Sequence, residues 1–163
     1  MVMQGELSPR QNEGHGDGFT LVELLIAVTI VVTLSAIAVP WYVSYREQAN
    51  IGRAVHDLRL LDSHLQAFKV NSSAYPASLN DVPQGNLSDP WGKPYQYPKI
   101  EGADTKGKAN MRKDKNLVPI NSDFDLYSMG TDGKTTPPLT AKNSHDDVVR
   151  ANNGAYYGLA SNY

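Results

Sequence analysis

The sequence predicts an α+β fold in which one long N-terminal helix packs on a small antiparallel β-sheet with long loops. Two observations carry this prediction. Residues 19–43 are apolar apart from one acid, and an apolar repeat at steps of three and four then continues to residue 72, which favours a single helix with two unlike halves. Residues 73–163 are rich in Pro, Gly and short apolar stretches, which is typical of short strands joined by turns.

Composition narrows the classes of function. The chain has 15 basic and 17 acidic residues, of which one and three lie in residues 1–18, so the remaining 14 and 14 balance. A balanced chain has no broad basic field for nucleic acid. The absence of cysteine excludes a disulfide and a thiolate metal site. With no glycine-rich phosphate loop or recognisable nucleophile motif, we expect no enzyme.

The apolar stretch 19–43 is long enough to cross a membrane, since a helix needs about 20 residues at ~1.5 Å each to span ~30 Å of hydrocarbon. Glu23 is its single charge, and an ionisable group in a membrane is costly and usually functional. Two interpretations of Glu23 stay open on spacing alone: a partner for a positive charge on another subunit, or an acid that stabilises its own helix N-terminus. Pro40 removes one backbone donor and should bend the helix.

Residues 44–72 predict an amphipathic continuation of the same helix. Its apolar stripe should pack on the globular domain, and the polar positions between should form a solvated face. Asn71, Ser72 and Ser73, followed by Tyr75 and Pro76, should end the helix. The stripe consists of Ile51, Val55, Leu58, Leu61, Leu65 and Phe68, and the polar face of Asn50, Arg53, Asp57, Asp62 and Gln66.

Residues 73–163 predict the globular β domain. Residues 89–97 should form a turn and a short strand whose aromatic side chains pack in the core, with a carbohydrate platform as the alternative. Residues 101–116 carry five basic side chains, Arg112 among them, diluted by acids, and are expected to form a solvated loop rather than an anion site. Residues 124–129 predict a second strand. The tail 152–163 is open between an edge strand and a contact with a neighbouring subunit.

Acidic residues after the second predicted strand suggest an ion site. Asp132, Asp146 and Asp147 offer the hard oxygens that calcium accepts in flexible geometry. On spacing alone this signal is weak, because three acids in a hydrophilic loop are common.

Two motifs carry a family resemblance. The run from Gly18 and Phe19 to Glu23, followed by the apolar helix, resembles the N-terminus of type IV pilins and type II secretion pseudopilins, and residues 89–97 closely resemble the major pseudopilins. The resemblance implies that residues 1–18 are a leader, that a prepilin peptidase cuts between Gly18 and Phe19, and that the new amine of Phe19 is methylated. It implies that Glu23 neutralises this amine on a neighbouring subunit, and that the helix loosens around Pro40 during assembly.

The resemblance also strengthens the ion-site prediction. Residues 128–133 resemble the pseudopilin segment that opens a calcium loop, with the Met129 carbonyl and Asp132 as ligands, and Asp146 and Asp147 match the later acidic pair. The loop, residues 129–150, is longer than is usual in the family. The expectation is that calcium orders it in place of a disulfide.

The function implied by the resemblance is structural. Subunits would sit in the bacterial inner membrane as single-pass proteins with the C-terminal domain in the periplasm, and polymerise head to tail into a filament that helps export folded proteins. Expected partners are further copies, a prepilin peptidase, minor pseudopilins and an assembly platform with its ATPase, with no nucleic acid. The alternatives are a type IV pilin of a surface pilus and a membrane-anchored binding module that uses the aromatic cluster.

Overall fold

A computed structural model describes residues 18–102 and 111–163 of the chain. The predicted leader lies outside the described residues except for Gly18, and so does the part 103–110 of the charged stretch. The chain divides into two compact units at Tyr42 and Val43, and each is considered by itself.

The long helix α1 runs from Leu21 to Ser72, which confirms the predicted helix and its end. Ser73 follows with φ of 59°, the left-handed conformation that commonly terminates helices. Pro40 lies inside α1. The helical prediction succeeded because the apolar repeat matches the helical period over many turns.

Three short antiparallel strands form one sheet in the order β1-β2-β3. Strand β1 is Tyr127–Ser128, β2 is Val148–Ala151 and β3 is Tyr156–Leu159. Tyr127 pairs with Val149 across β1 and β2. Together with α1, this sheet confirms the predicted α+β architecture. The strand expected near residues 95–97 contributes only isolated pairing, between Gln96 and Tyr127.

The hairpin β2–β3 was not predicted as such, because β2 falls at the end of the expected loop 129–150. A turn signal was nevertheless present. Asn152, Asn153 and Gly154 connect the strands with φ of 54°, 54° and 89°, and these residue types tolerate positive φ best. Strand β3 settles the structure of the tail, since its pairing with β2 makes an edge strand.

The main core lies between the second half of α1 and the sheet. Four α1 side chains, those of Ala54, Leu58, Leu61 and Leu65, are completely buried there. The three leucines belong to the predicted stripe, whose other members are partly buried against the same core, whereas Ala54 was not predicted to be part of it. The residues that meet α1 are Leu79, Val82, Tyr95, Phe124, Leu126 and Val148.

A second apolar cluster covers the opposite face of the sheet. Val149 lies in this cluster, whereas its neighbour Val148 lies in the main core. Strand β2 is therefore buried on both faces, which removes the alternation of apolar and polar residues by which strands are recognised.

Two positions on the predicted solvated face of α1 are not solvated. Asp57 is buried and accepts a hydrogen bond from the Tyr95 hydroxyl at 3.0 Å. Asp62 accepts one from the Tyr157 hydroxyl at 2.7 Å. The solvated-face prediction is wrong for these two residues because tyrosine hydroxyls of the globular domain donate hydrogen bonds to both carboxylates.

Candidate functional site

Glu23 lies in the first turn of α1 and forms a reciprocal capping box with Thr20. Glu23 Oε2 accepts hydrogen bonds from the Thr20 backbone N–H at 2.9 Å and from the Thr20 hydroxyl at 2.8 Å. The Thr20 hydroxyl accepts from the Glu23 N–H at 3.2 Å. This arrangement satisfies donors that a helix N-terminus leaves open. Glu23 therefore stabilises its own helix, and its pairing with another subunit stays a prediction.

The segment around the predicted cleavage point is accessible. Gly18 and Phe19 precede α1, and Phe19 is 87% exposed. A peptidase that cuts between them needs such an exposed, non-helical segment. Cleavage and methylation remain predictions.

The first half of α1 exposes its apolar side chains on all sides. Every residue from Leu21 to Tyr42 is exposed. Within the described residues, α1 is the one helix long and apolar enough to cross a membrane, judged by its length and composition. The polar hydroxyls in this half are satisfied internally, because Thr29 donates to the Leu25 carbonyl at 2.7 Å and Thr33 to the Thr29 carbonyl at 3.0 Å. These properties suit a helix surrounded by lipid or by other helices.

Pro40 interrupts the hydrogen-bond ladder of this half. It has no N–H to donate to the carbonyl of Ala36, one turn earlier. The helix around Pro40 therefore has one hydrogen bond fewer, which is the property that its predicted role in assembly requires.

Two of the predicted calcium ligands lie together. The Asp132 N–H donates to Asp146 Oδ2 at 3.0 Å, and Asp132 Oδ1 accepts from the Lys134 N–H at 2.7 Å. Gly130 has φ of 61°, and a Cβ there would lie 2.2 Å from the Asp146 carbonyl oxygen. Only glycine allows the two ends of the loop to approach so closely. The third predicted ligand, the Met129 carbonyl, accepts from the Gly133 N–H at 3.1 Å.

The fourth predicted ligand, Asp147, faces elsewhere. It is completely buried, and its Oδ2 accepts from Arg112 Nη2 and from the Thr135 hydroxyl. Burial raises the pKa of the Asp147 carboxyl above its ordinary value, opposed by the Thr135 hydrogen bond and the Arg112 charge. No three acidic or histidine side chains among the described residues gather as a metal-binding group. In this arrangement Asp147 contacts Arg112 and Thr135 and not the Asp132–Asp146 pair, and calcium binding stays a prediction.

Arg112 is the residue for which the sequence was most misleading. It lies in the charged stretch expected to be solvated, yet only 2% of it is exposed. Its guanidinium carbon lies 4.4 Å from the centroid of the Tyr127 ring. No local sequence signal marks this burial, because the Asp147 partner is 35 positions away.

The aromatic segment 89–97 packs in the core rather than forming an open platform. Tyr95 is buried and Trp91 packs against the main core. Asp89 holds the turn, since its Oδ1 accepts from the N–H groups of Trp91 at 3.1 Å and Lys93 at 2.8 Å. The opposite oxygen accepts from the Ser128 hydroxyl at 2.5 Å, which ties the turn to β1. The structure therefore supports the packing interpretation.

Glu47, which the sequence did not single out, links this turn to the start of the predicted ion loop. Its Oε1 accepts from the Thr131 hydroxyl at 2.8 Å, and its Oε2 accepts from Trp91 Nε1 at 3.4 Å. One α1 side chain therefore contacts both the turn at Trp91 and the start of the loop at Thr131, which a local sequence pattern could not reveal.

A second buried arginine joins α1 to the sheet. Arg150 on β2 forms a two-pronged pair with Asp123, at 2.9 Å and 2.7 Å. Its Nε lies 2.9 Å from Asp62 Oδ1, an ion pair by distance although the N–H does not point along that line. The guanidinium carbon lies 4.2 Å from the Phe124 ring centroid. Two carboxylates and an aromatic face thus compensate a nearly inaccessible cation.

Comparison with known proteins places these features in a family. The profile of the prokaryotic N-terminal methylation motif matches residues 17–39, which include the predicted cleavage point and Glu23. The type II secretion system core protein G of Pseudomonas aeruginosa is 32% identical over 138 residues, covering 72% of this chain and 84% of the relative.

Two further relatives are similar over most of the chain. The type II secretion system core protein G of Klebsiella pneumoniae is 28% identical over 135 residues, covering 80% of this chain and 91% of that protein. The type IV major pilin protein PilE of Neisseria gonorrhoeae is 27% identical over 141 residues, covering 82% and 81%. No solved structure is significantly similar to the chain. From its methylation motif, its exposed apolar helix and its similarity over most of the Pseudomonas protein, the chain belongs to the type II secretion system core protein G family, the major pseudopilins.

Proposed function

We propose that this chain is the major filament subunit of a type II secretion system, a structural protein that polymerises into a pseudopilus assisting the export of folded proteins. The observation that carries the proposal is the similarity to the Pseudomonas core protein G over 84% of that protein. The exposed apolar half of α1 supports it, because a surface of this length needs lipid or other helices to cover it.

A prepilin peptidase cuts the chain between Gly18 and Phe19 and methylates the new amine. The support is the methylation motif over residues 17–39 and the exposure of this junction. Before assembly, the first half of α1 anchors the subunit in the bacterial inner membrane, and the globular domain lies in the periplasm.

Glu23 sets the axial position of each incoming subunit. Once Phe19 is the N-terminus, its amine is a positive charge at the end of an apolar helix. A Glu23 carboxylate from a neighbouring subunit neutralises it in a low-dielectric environment, where the attraction is stronger than in water. The capping box uses Oε2 for both bonds, so Oε1 is the oxygen that would accept from the partner.

The resulting polymer is heterologous and does not close on itself. Its assembly draws on minor pseudopilins and on an inner-membrane platform with its ATPase. The main partner of each subunit is another copy of the same chain, and nucleic acid has no part in the function.

A deletion strain tests this proposal. The proteins in its culture medium are compared with its surface pili and its motility, and a plasmid copy of the gene serves as the control. We expect specific exported proteins to disappear from the medium while pili and motility stay normal. Loss of pili or motility with export intact would contradict the secretion function.

The second candidate function is that of a type IV pilin in a surface pilus for adhesion, motility or DNA uptake. The similarity to the Neisseria major pilin over 81% of that protein favours it specifically. The core protein G relatives and the segment 89–97 favour the secretion pseudopilin.

A further inference from the structure

The segment Met111–Lys113 is built into the loop between β1 and β2, residues 129–147. The Lys113 N–H donates to the Pro137 carbonyl at 3.0 Å, and the Leu139 N–H donates to the Lys113 carbonyl at 2.9 Å. These two backbone bonds place the segment alongside the middle of the loop. The backbone of Arg112, next to Lys113, is therefore held close to the loop.

The backbone of Arg112 is held on both sides. Its N–H donates to Asp125 Oδ2 at 2.7 Å, and its carbonyl accepts from the Ile120 N–H at 3.0 Å. Asp125 is itself buried and accepts from the Asn121 side chain at 2.8 Å. These bonds fix the position of the Arg112 backbone, and the planar guanidinium loses little entropy for each hydrogen bond that it forms.

The guanidinium joins distant parts of the loop. Its Nη1 donates to the Thr135 hydroxyl and, at 2.8 Å, to the Thr136 carbonyl. Its Nη2 donates to Asp147 Oδ2 at the end of the loop. The Tyr127 ring on β1 lies against the group. One cation therefore contacts the middle and the end of the loop, and strand β1 just before it.

Two buried atoms of this pair lack hydrogen-bond partners among the described residues, Arg112 Nε and Asp147 Oδ1. They are the remaining donor and the remaining acceptor of a side-on arginine–carboxylate pair. These are the two atoms that a two-pronged arginine–carboxylate pair would use in addition to Nη2 and Oδ2. Asp147 Oδ1, which lacks a partner, and the Nε donor of Arg112 therefore belong to the same ion pair.

These contacts are those that a calcium ion would make in a loop of this kind, namely to carboxylate, hydroxyl and carbonyl oxygens from distant positions. Asp147, Thr135 and the Thr136 carbonyl supply such oxygens, and the guanidinium already occupies them. A divalent cation at Asp147 would also be repelled by the fixed positive charge of Arg112.

We propose that Arg112 is the resident cation of this loop, and that it orders residues 129–147 without calcium. The loop then folds with the chain rather than in response to the metal. Asp132 and Asp146 remain near each other at the loop surface, but they are separated from Asp147 by the orientation of its carboxylate.

Thermal unfolding of the full chain in detergent tests the proposal. The midpoint is measured in calcium and in a calcium chelator for the unaltered chain, for Arg112→Met and for the control Arg46→Met, which alters an exposed arginine. We expect the unaltered chain and the control to have the same midpoint in both buffers. We expect Arg112→Met to lower the midpoint on the order of 10 °C, because it leaves a buried carboxylate unpaired.

A double-variant cycle separates the ion pair from general damage to the fold. Asp147→Asn in the Arg112→Met background removes the unpaired charge, so the double variant should recover part of the lost midpoint. Arg112→Lys keeps the charge but not the fork, and should fall between the unaltered chain and Arg112→Met.

Two results would overturn the proposal. One is a midpoint of the unaltered chain that rises in calcium and falls in chelator. The other is an Arg112→Met midpoint equal to that of the Arg46→Met control. Should Arg112→Met fail to fold, the calcium and chelator comparison on the unaltered chain and on Arg112→Lys still decides the question.

Discussion

The two halves of α1 both carry apolar side chains but use them differently. From Leu21 to Tyr42 every side chain is exposed, whereas Ala54, Leu58, Leu61 and Leu65 in the second half are completely buried. The second half finds its partners in the sheet of the same chain. The first half has an exposed apolar surface that suits lipid or other helices, so substitutions there should affect assembly, and substitutions in the second half should affect folding.

Substitution of Glu23 should have the largest effect, which is on polymerisation. Glu23→Ala should abolish polymerisation while leaving membrane insertion and the thermal midpoint of the globular domain unchanged. Glu23→Gln is the informative companion, because glutamine also forms a capping box but carries no charge. If the carboxylate neutralises the amine of a neighbouring subunit, Glu23→Gln should abolish polymerisation as Glu23→Ala does. The filament yield of both variants is measured after shearing or cross-linking. Normal filaments from Glu23→Gln would mean that Glu23 acts only through its capping box with Thr20.

A matched pair of leucine substitutions sharpens the comparison. Leu58→Ala should lower the free energy of unfolding by roughly 2–5 kcal/mol, since it opens a cavity in the main core. Leu34→Ala changes a side chain that is 63% exposed, so it should change this free energy by no more than about 0.5 kcal/mol. Chemical denaturation of both variants in detergent gives the values. Equal losses would mean that the two halves do not differ as described.

Tyr157 tests the link between the second half and the sheet by its pH dependence. Burial, followed by the hydrogen bond to Asp62 and the charge of that residue, raises the pKa of Tyr157 to about 12. Because the folded-state pKa is higher than the unfolded value of about 10, its contribution is fully present below pH ~10 and is lost as the pH rises through about 12.

Tyr157→Phe isolates this contribution. At neutral pH it should cost about 1.5–3 kcal/mol, the worth of a hydrogen bond to a charged group. The stability difference from the unaltered chain should then shrink as the pH approaches about 12. Denaturant titrations at several pH values measure it, and a difference independent of pH would contradict the assignment.

Substitutions at the end of α1 should have the smallest effect on stability. Ser73→Gly should stabilise the domain by about 0.5 kcal/mol, because glycine adopts the observed φ of 59° without steric cost. Ser63→Gly, the same substitution inside the helix, should destabilise by about 0.5 kcal/mol through its lower helix propensity. Opposite signs in the two thermal midpoints are the expected result, and a shared sign would argue against the observed helix end.

Sequence reasoning succeeded where short-range patterns decide the structure. The stripe through Leu58, Leu61 and Leu65 and the helix end at Ser72 follow from the helical period and from turn residues. The junction at Gly18 and Phe19 and the position of Glu23 belong to a continuous motif, and the methylation profile matches it.

Sequence reasoning failed where residues far apart in the sequence decide whether a side chain is buried. Strand β2 has no alternation because its neighbouring valines face different cores. Arg112 and Asp62 looked like solvated charges because their partners, Asp147 and Tyr157, lie 35 and 95 positions away. A buried charge cannot be told from an exposed one by its neighbours in sequence, since its cost is compensated only in the folded chain.

Disulfide cross-linking of single-cysteine variants most directly tests whether the first half of α1 contacts other subunits while the second half is buried in its own chain. The chain has no cysteine of its own to interfere. Cysteines are placed one at a time from Leu24 to Leu34, and at Ala54 as a buried control, and disulfide-linked dimers are measured in the membrane. The account predicts dimers at several positions of the first half, their loss when Glu23→Ala is added, and none at Ala54. No dimers at any position from Leu24 to Leu34, or dimers unaffected by Glu23→Ala, would contradict it.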